Sequence, residues 1–107
     1  MSNQCNNEIE NLIYNHKIIA FVKGSKSKPM CGFSNTVIQI LNKFNIDYHT
    51  VDILTNNKIR NGIKEYSQWP TIPQVYINKK FIGGADILLD LYNTYKLHEI
   101  LEKSINS

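Results

Sequence analysis

Cys31-Gly32-Phe33-Ser34 carries the strongest chemical signal in the chain: a cysteine with a serine three residues on, where a second thiol would close a Cys-x-x-Cys disulfide. The apolar run Ile18-Ile19-Ala20-Phe21-Val22 precedes it, and Val37, Ile38, Leu41 and Phe44 follow at helical spacing. That order predicts a thiol at the N-terminus of a helix entered from a buried strand. The free N–H groups and dipole of a helix start favour an anion, so the thiolate would form below the pKa of a free cysteine. The Ser34 hydroxyl cannot resolve a mixed disulfide, and Ser34 reads as a helix-starting residue. Cys31 must react with an external thiol, or bind a metal or cluster.

Other residues stand where they can assist. Lys23 follows the apolar run and would aim its ammonium at the thiolate region, holding a carboxylate and lowering the Cys31 pKa further. Gly32 leaves room beside the sulfur, and Phe33 reads as packing or as a lid. Gly83-Gly84-Ala85-Asp86 reads as a second anion site. Its glycines let the backbone approach a ligand, N–H groups at the following helix start can hold a carboxylate, and Asp86 suits an N-cap. Cys5 lies in a polar N-terminal segment with no motif around it. His16, His49 and His98 match no zinc spacing and read as ordinary.

The elements that must position these groups follow from periodicity and punctuation. Asn6–Asn15 places Ile9, Leu12 and Ile13 on one helical face, and Lys17–Val22 reads as a buried strand. A Lys/Ser-rich loop over Gly24–Pro29 leads to the cysteine. A helix from about Ser34 to Phe44, a strand over Tyr48–Ile53 and a helix over Asn56–Ser67 follow. Gln74–Ile77 and Lys80–Ile82 form a hairpin turned at Asn78-Lys79, a weaker signal than Asn-Gly. Gly83-Gly84 then breaks the strand. Asp86 caps a helix carrying Leu88, Leu89, Leu91 and Tyr92, and a last helix spans Lys96–Ser104. The order αβαβαββαα predicts a mixed sheet with helices on both faces, the first two strands parallel and the last two antiparallel.

Composition bounds the rest. One domain of 107 residues, 42% hydrophobic and 20% charged, is long enough to bury a core without staples. Two cysteines make no disulfide framework, so reduced-compartment chemistry suits Cys31. The net charge of +3 comes from scattered lysines, which argues against a nucleic-acid stripe and mildly for a small acidic ligand. The longest apolar run is too short to span a bilayer. No charged-then-apolar leader opens the chain, which points away from secretion and towards the cytoplasm or mitochondrial matrix.

Four separated stretches together resemble the monothiol glutaredoxins of the CGFS type. They are Phe21-Val22-Lys23-Gly24, Pro29-Met30-Cys31-Gly32-Phe33-Ser34, Trp69-Pro70-Thr71-Ile72-Pro73-Gln74 and Phe81-Ile82-Gly83-Gly84-Ala85-Asp86. Arg60, Gly62, Ile63, Lys64, Tyr66 and Ser67 also fall where that family expects them, and the resemblance covers about residues 7–104 of a single domain. It implies a thioredoxin-like α/β fold with a central four-stranded mixed sheet. It implies glutathione as ligand, with its glycine carboxylate on Lys23 and Arg60. The Ile72 backbone, before a cis Pro73 facing the nucleophile, would pair with the ligand like a strand. Backbone N–H groups of Gly84 and Ala85 would take the γ-glutamyl carboxylate, with its amine near Asp86. Ala85 stands where many members carry a second cysteine, which argues against a two-cysteine cycle.

A [2Fe–2S] cluster takes about four thiolates, and the resemblance implies two from Cys31 of a homodimer and two from glutathione. The leading expectation is a carrier that passes clusters to apo iron–sulfur proteins, with a monomeric apo form. A glutathione-dependent thiol–disulfide oxidoreductase and an iron-sensing adaptor with a BolA-like partner are the alternatives.

Overall fold

The run Ile18–Val22 has no polar residue, and its structure shows why: β1 (Ile18–Val22) is one of two inner strands of a sheet covered on both faces. A computed structural model describes residues 3–106, with side chains from residue 7 onward; the side chain of Cys5 lies outside the described residues. The chain runs α1 (Asn3–Asn15), β1, α2 (Gly32–Asn42), β2 (His49–Asp52), α3 (Asn57–Ser67), β3 (Gln74–Ile77), β4 (Lys80–Gly83), α4 (Ala85–Asn93) and α5 (Lys96–Ile105). The sheet order is β2-β1-β3-β4. β2 lies parallel to β1, and β3 is antiparallel to both β1 and β4.

Side chains that alternate along a strand point to opposite faces, and β1 splits accordingly. Ile18, Ala20 and Val22 join Val37, Ile38 and Leu41 of α2, Leu88 of α4, and Leu97 and Leu101 of α5 in one core. Ile19 and Phe21 join Ile9 and Ile13 of α1, and Ile59 and Ile63 of α3, in the other. Burying each such side chain is worth about 1.5–3 kcal/mol before chain entropy is set against it. Both layers therefore anchor the strand whose end delivers the cysteine.

The hairpin turns at Asn78 and Lys79, with φ of 51° and 71°. Asparagine tolerates that left-handed region, whereas lysine takes it at a cost of about 1 kcal/mol. The turn is tied down by the Asn78 N–H, which donates to the Lys17 carbonyl at 2.6 Å.

Several expected boundaries differ. α2 begins at Gly32, not near Ser34, because Cys31 itself is the N-cap residue in an extended conformation (φ −156°, ψ 141°). It ends at Asn42, so Phe44 packs from the following turn, with its ring edge against Tyr92. Asp86 is not the cap of α4. Gly84 takes that position, and Asp86 lies in the first turn, where a negative charge still suits the helix dipole. Leu89, expected with the apolar residues of that helix, is exposed. Among the described residues no helix is long and apolar enough to cross a membrane.

Candidate thiol site

A short, tightly folded loop carries the chain from β1 to Cys31. The Met30 N–H donates to the Lys23 carbonyl at 2.8 Å, and Gly24 pairs with Pro29 as an isolated bridge. Ser25 and Lys28 exchange backbone hydrogen bonds of 3.1 and 3.2 Å. Gly24 is required here. At φ +97°, an added Cβ would lie 2.4 Å from the Lys28 carbonyl oxygen. One carboxylate oxygen of Asp52, at the end of β2, accepts the N–H groups of Gly24 (3.0 Å) and Leu54 (2.9 Å). Lys26 adds a tie at the other end of β2, donating to the Tyr48 carbonyl with its ammonium 4.1 Å from the Tyr48 ring centre. The thiol therefore rides on a loop fastened to the inner strand β1 and to the edge strand β2.

Cys31 is partly exposed, and its thiol pKa is lowered. The Ser34 N–H at the open end of α2 is the largest influence. Burial opposes it, and the Phe33 N–H, the Ser34 hydroxyl and the Lys23 charge all favour the thiolate. The helix start thus outweighs the nearby cation. Ser34 does more than begin a helix. Its side chain is completely buried, and its oxygen accepts the Lys23 N–H at 3.0 Å. It joins the end of β1 to the turn that holds the sulfur.

Beside Cys31 opens a cavity of ≈ 460 Å³. Lys23 lines it, as do Ile72 and Pro73 ahead of β3 and Gly84, Ala85 and Asp86 at the start of α4. The Ile72–Pro73 bond is cis. Gly84 packs so closely that an added Cβ would lie 3.2 Å from the Pro73 carbonyl oxygen, and Gly83 turns the chain at φ +141°. Pairing steps from Phe81 to Gly83 while β3 advances only from Tyr76 to Val75. That extra residue is a bulge, and Gly84 just beyond it lines the cavity.

Arg60 is not brought to this wall. It is half-buried on α3, and Lys64, one turn later, lines the cavity. Phe33 also lines it and is 61% exposed, so it is a flap on the rim and not core packing. A Cβ on Gly32 would meet nothing within 4 Å, so the space beside the sulfur is open to solvent. His16 and His49 lie apart in sequence yet stack face to face, ring centres 4.0 Å apart, away from the thiol. His98 is ringed by Phe44, Tyr92 and Tyr95.

Gln74 is the polar residue that sequence reading passed over. It is completely buried, and its amide donates to the carbonyls of Trp69 (3.0 Å) and Thr71 (3.2 Å) in the cavity wall. Its position directly after Pro73 was visible, but its partners are carbonyls of an irregular loop that no periodicity announces.

The assembled site offers an accessible thiol whose ionised form is favoured, two ammonium groups, a helix N-terminus and one carboxylate around one concavity. It suits a small thiol bearing carboxylates and an amine. Comparison with known proteins agrees. The glutaredoxin family model matches residues 18–82. The monothiol glutaredoxin ycf64 of Porphyra purpurea is 60% identical over 94 residues, 88% of each chain. The chloroplastic monothiol glutaredoxin-S14 of Arabidopsis thaliana is 47% identical over 104 residues, 97% of this chain and 60% of that one. Relatives named mitochondrial occur as well. The solution structure of reduced poplar apo GrxS14 superposes with a TM-score of 0.83 at 44% identity, covering 95% of this chain and 94% of that one. With a thioredoxin-like fold, one thiol at a helix start and relatives that share nearly its whole length, the chain belongs to the glutaredoxin family, among the monothiol glutaredoxins.

Proposed function

We propose that the cavity binds glutathione and that the protein carries a [2Fe–2S] cluster as cargo, held between two copies of the chain. Family membership supports glutathione-linked thiol chemistry; the cluster is the further step. The observation that carries it is the donor set. Cys31 is an accessible thiol whose ionised form is favoured, and Ser34 at the resolving position is buried and already bonded to the chain. Among the described residues no group of three or more His, Cys, Asp or Glu side chains could hold a metal ion. A cluster that takes about four thiolates would draw two from Cys31 of each copy and two from bound glutathione. The recipients are apo iron–sulfur proteins, and a BolA-like protein is the alternative second subunit.

In this reading the Ile72 backbone pairs with the ligand's peptide portion beside Pro73. The N–H groups of Gly84 and Ala85 hold the γ-glutamyl carboxylate, and Asp86 takes its amine. Lys23 holds the glycine carboxylate. Arg60 was expected to share that task; we assign the larger part to Lys64, because Lys64 lines the cavity and Arg60 does not.

Anaerobic reconstitution with iron, sulfide and glutathione tests the proposal. A visible charge-transfer spectrum that requires glutathione is expected, and a protein that stays colourless at saturating glutathione would overturn the carrier reading. The favoured thiolate also supports a second reading. Cys31 would attack the glutathione sulfur of a protein mixed disulfide, releasing the protein thiolate. A second glutathione thiolate would then attack that sulfur, giving glutathione disulfide and free Cys31. Rapid turnover by the colourless protein would select this oxidoreductase.

A further inference from the structure

We propose that Gln74 is a positioning residue for the anionic ligand of the cavity: its buried amide turns the Trp69 and Thr71 carbonyls into the protein, away from the ligand's carboxylate. The proposal rests on the reading of the cavity as a glutathione site. Gln74 lies at the start of β3, behind the wall formed by residues 69–73, and does not itself line the cavity. One amide nitrogen serves both loop carbonyls, at 3.0 and 3.2 Å. Both partners are carbonyls, which can only accept, so they fix which way round the amide sits, and the Tyr76 hydroxyl lies 3.4 Å from the amide oxygen, where it can donate.

The electrostatic consequence follows from the direction of these dipoles. A carbonyl oxygen on the wall would repel a carboxylate and compete with it for the ammonium groups of Lys23 and Lys64. With both oxygens bonded inside, the wall presents the apolar faces of Trp69 and Ile72 and leaves the positive groups to the ligand. Removing the amide donors would leave two partly buried carbonyls without these partners, and they would turn towards the cavity water to recover them.

The test compares glutathione with glutathione diethyl ester, which keeps the shape and loses both carboxylate charges. Binding of each to the wild type and to Gln74→Met is followed by NMR titration; methionine fills similar volume without donors. Glutathione affinity is expected to fall about tenfold while ester affinity changes little, collapsing the preference between them. General loosening would weaken both ligands alike and leave their ratio intact. An unchanged ratio in Gln74→Met, with the wild type preferring glutathione, overturns the proposal and leaves the site reading standing. A wild type that shows no preference for glutathione overturns both. If Gln74→Met does not fold, the wild type alone still decides. The Gln74 side-chain amide should be protected from hydrogen exchange, and exchange at the rate of an exposed glutamine overturns the clamp.

Discussion

At the scale of single residues, a thiol whose ionised form is held by backbone N–H groups keeps its reactivity where a free thiol has lost it. The pKa of Cys31 is lowered first by the Ser34 N–H and only last by Lys23. Alkylation of Cys31 by iodoacetamide should therefore persist well below the free-cysteine pKa of about 8.5, and Lys23→Ala should change its pH midpoint little. A midpoint at the free value would refute the helix-start account. The same shift has a stability sign. Between the lowered folded pKa and the unfolded one, the folded chain binds fewer protons, so stability rises with pH across that window. The contribution is complete above the unfolded value and is lost as pH falls through the folded one. Cys31→Ser should flatten that slope in denaturant melts recorded across the window.

Charge placement at the same scale separates two side chains that sequence could not. Arg60 and Lys64 are one turn apart on α3, and a single helical turn decides which of them reaches the cavity. Lys64→Ala is expected to weaken glutathione binding by about 1 kcal/mol, the lower part of the range for charged hydrogen bonds after solvent screening. Arg60→Ala should cost less. Calorimetric titration that ranks them the other way would show that the glycine carboxylate lies nearer the start of α3. Lys23 was legible because it follows an unmistakable buried strand, and Cys31 because an apolar helical pattern follows it. Gln74 and the second role of Ser34 were not, because each acts through hydrogen bonds to irregular backbone.

At the scale of elements, periodicity located every helix and strand and misread starts where side-chain type and backbone shape compete. Ser34 has the type of an N-cap, yet it turns inward to bond the end of β1, and Cys31 takes the extended position. Asp86 has the type as well, but the bulge and the Gly83-Gly84 turn bring the helix start forward to Gly84. The Gly24–Pro29 loop was legible only as a loop. Its shape depends on Asp52, a residue 28 positions from Gly24. Asp52→Ala should destabilise the fold by about 1–2 kcal/mol through two lost charge-assisted bonds. Asp52→Asn, which keeps an acceptor oxygen, should cost less. Gly24→Ala should be worse than either, because it meets a backbone oxygen at 2.4 Å in a conformation unfavourable to alanine. Urea midpoints in the order wild type, Asp52→Asn, Asp52→Ala, Gly24→Ala are the expected result. A Gly24→Ala variant as stable as wild type would show that the loop has room it does not display.

At the scale of the whole molecule, all-or-none pairing follows from having one cluster-ligating thiol per copy in the proposed carrier. The directions of the β1–β2 and β3–β4 pairs were legible from connections, since a helical crossover permits a parallel pair and a two-residue turn imposes an antiparallel one, whereas the antiparallel β1–β3 pairing was not. In that proposal the quaternary state is a matter of ligand supply. Met30 and Phe33 flank the thiol at 60% and 61% exposure, leaving apolar surface available beside it. In the proposed carrier the cluster supplies the free energy of pairing. Mixing wild type with Cys31→Ser at constant total protein before anaerobic reconstitution separates two cases. If apo chains are monomers that pair only through the cluster, the variant is inert and colour falls in proportion to the wild-type fraction. If the chains pair beforehand and remain paired, mixed dimers are trapped without a second thiolate, and colour falls as the square of that fraction. The linear dependence is expected. Size-exclusion chromatography under argon should show cluster iron only in the dimer peak, with Cys31→Ser confined to the monomer. Iron and sulfide eluting with a monomer, or with Cys31→Ser alone, would remove the basis for a shared cluster.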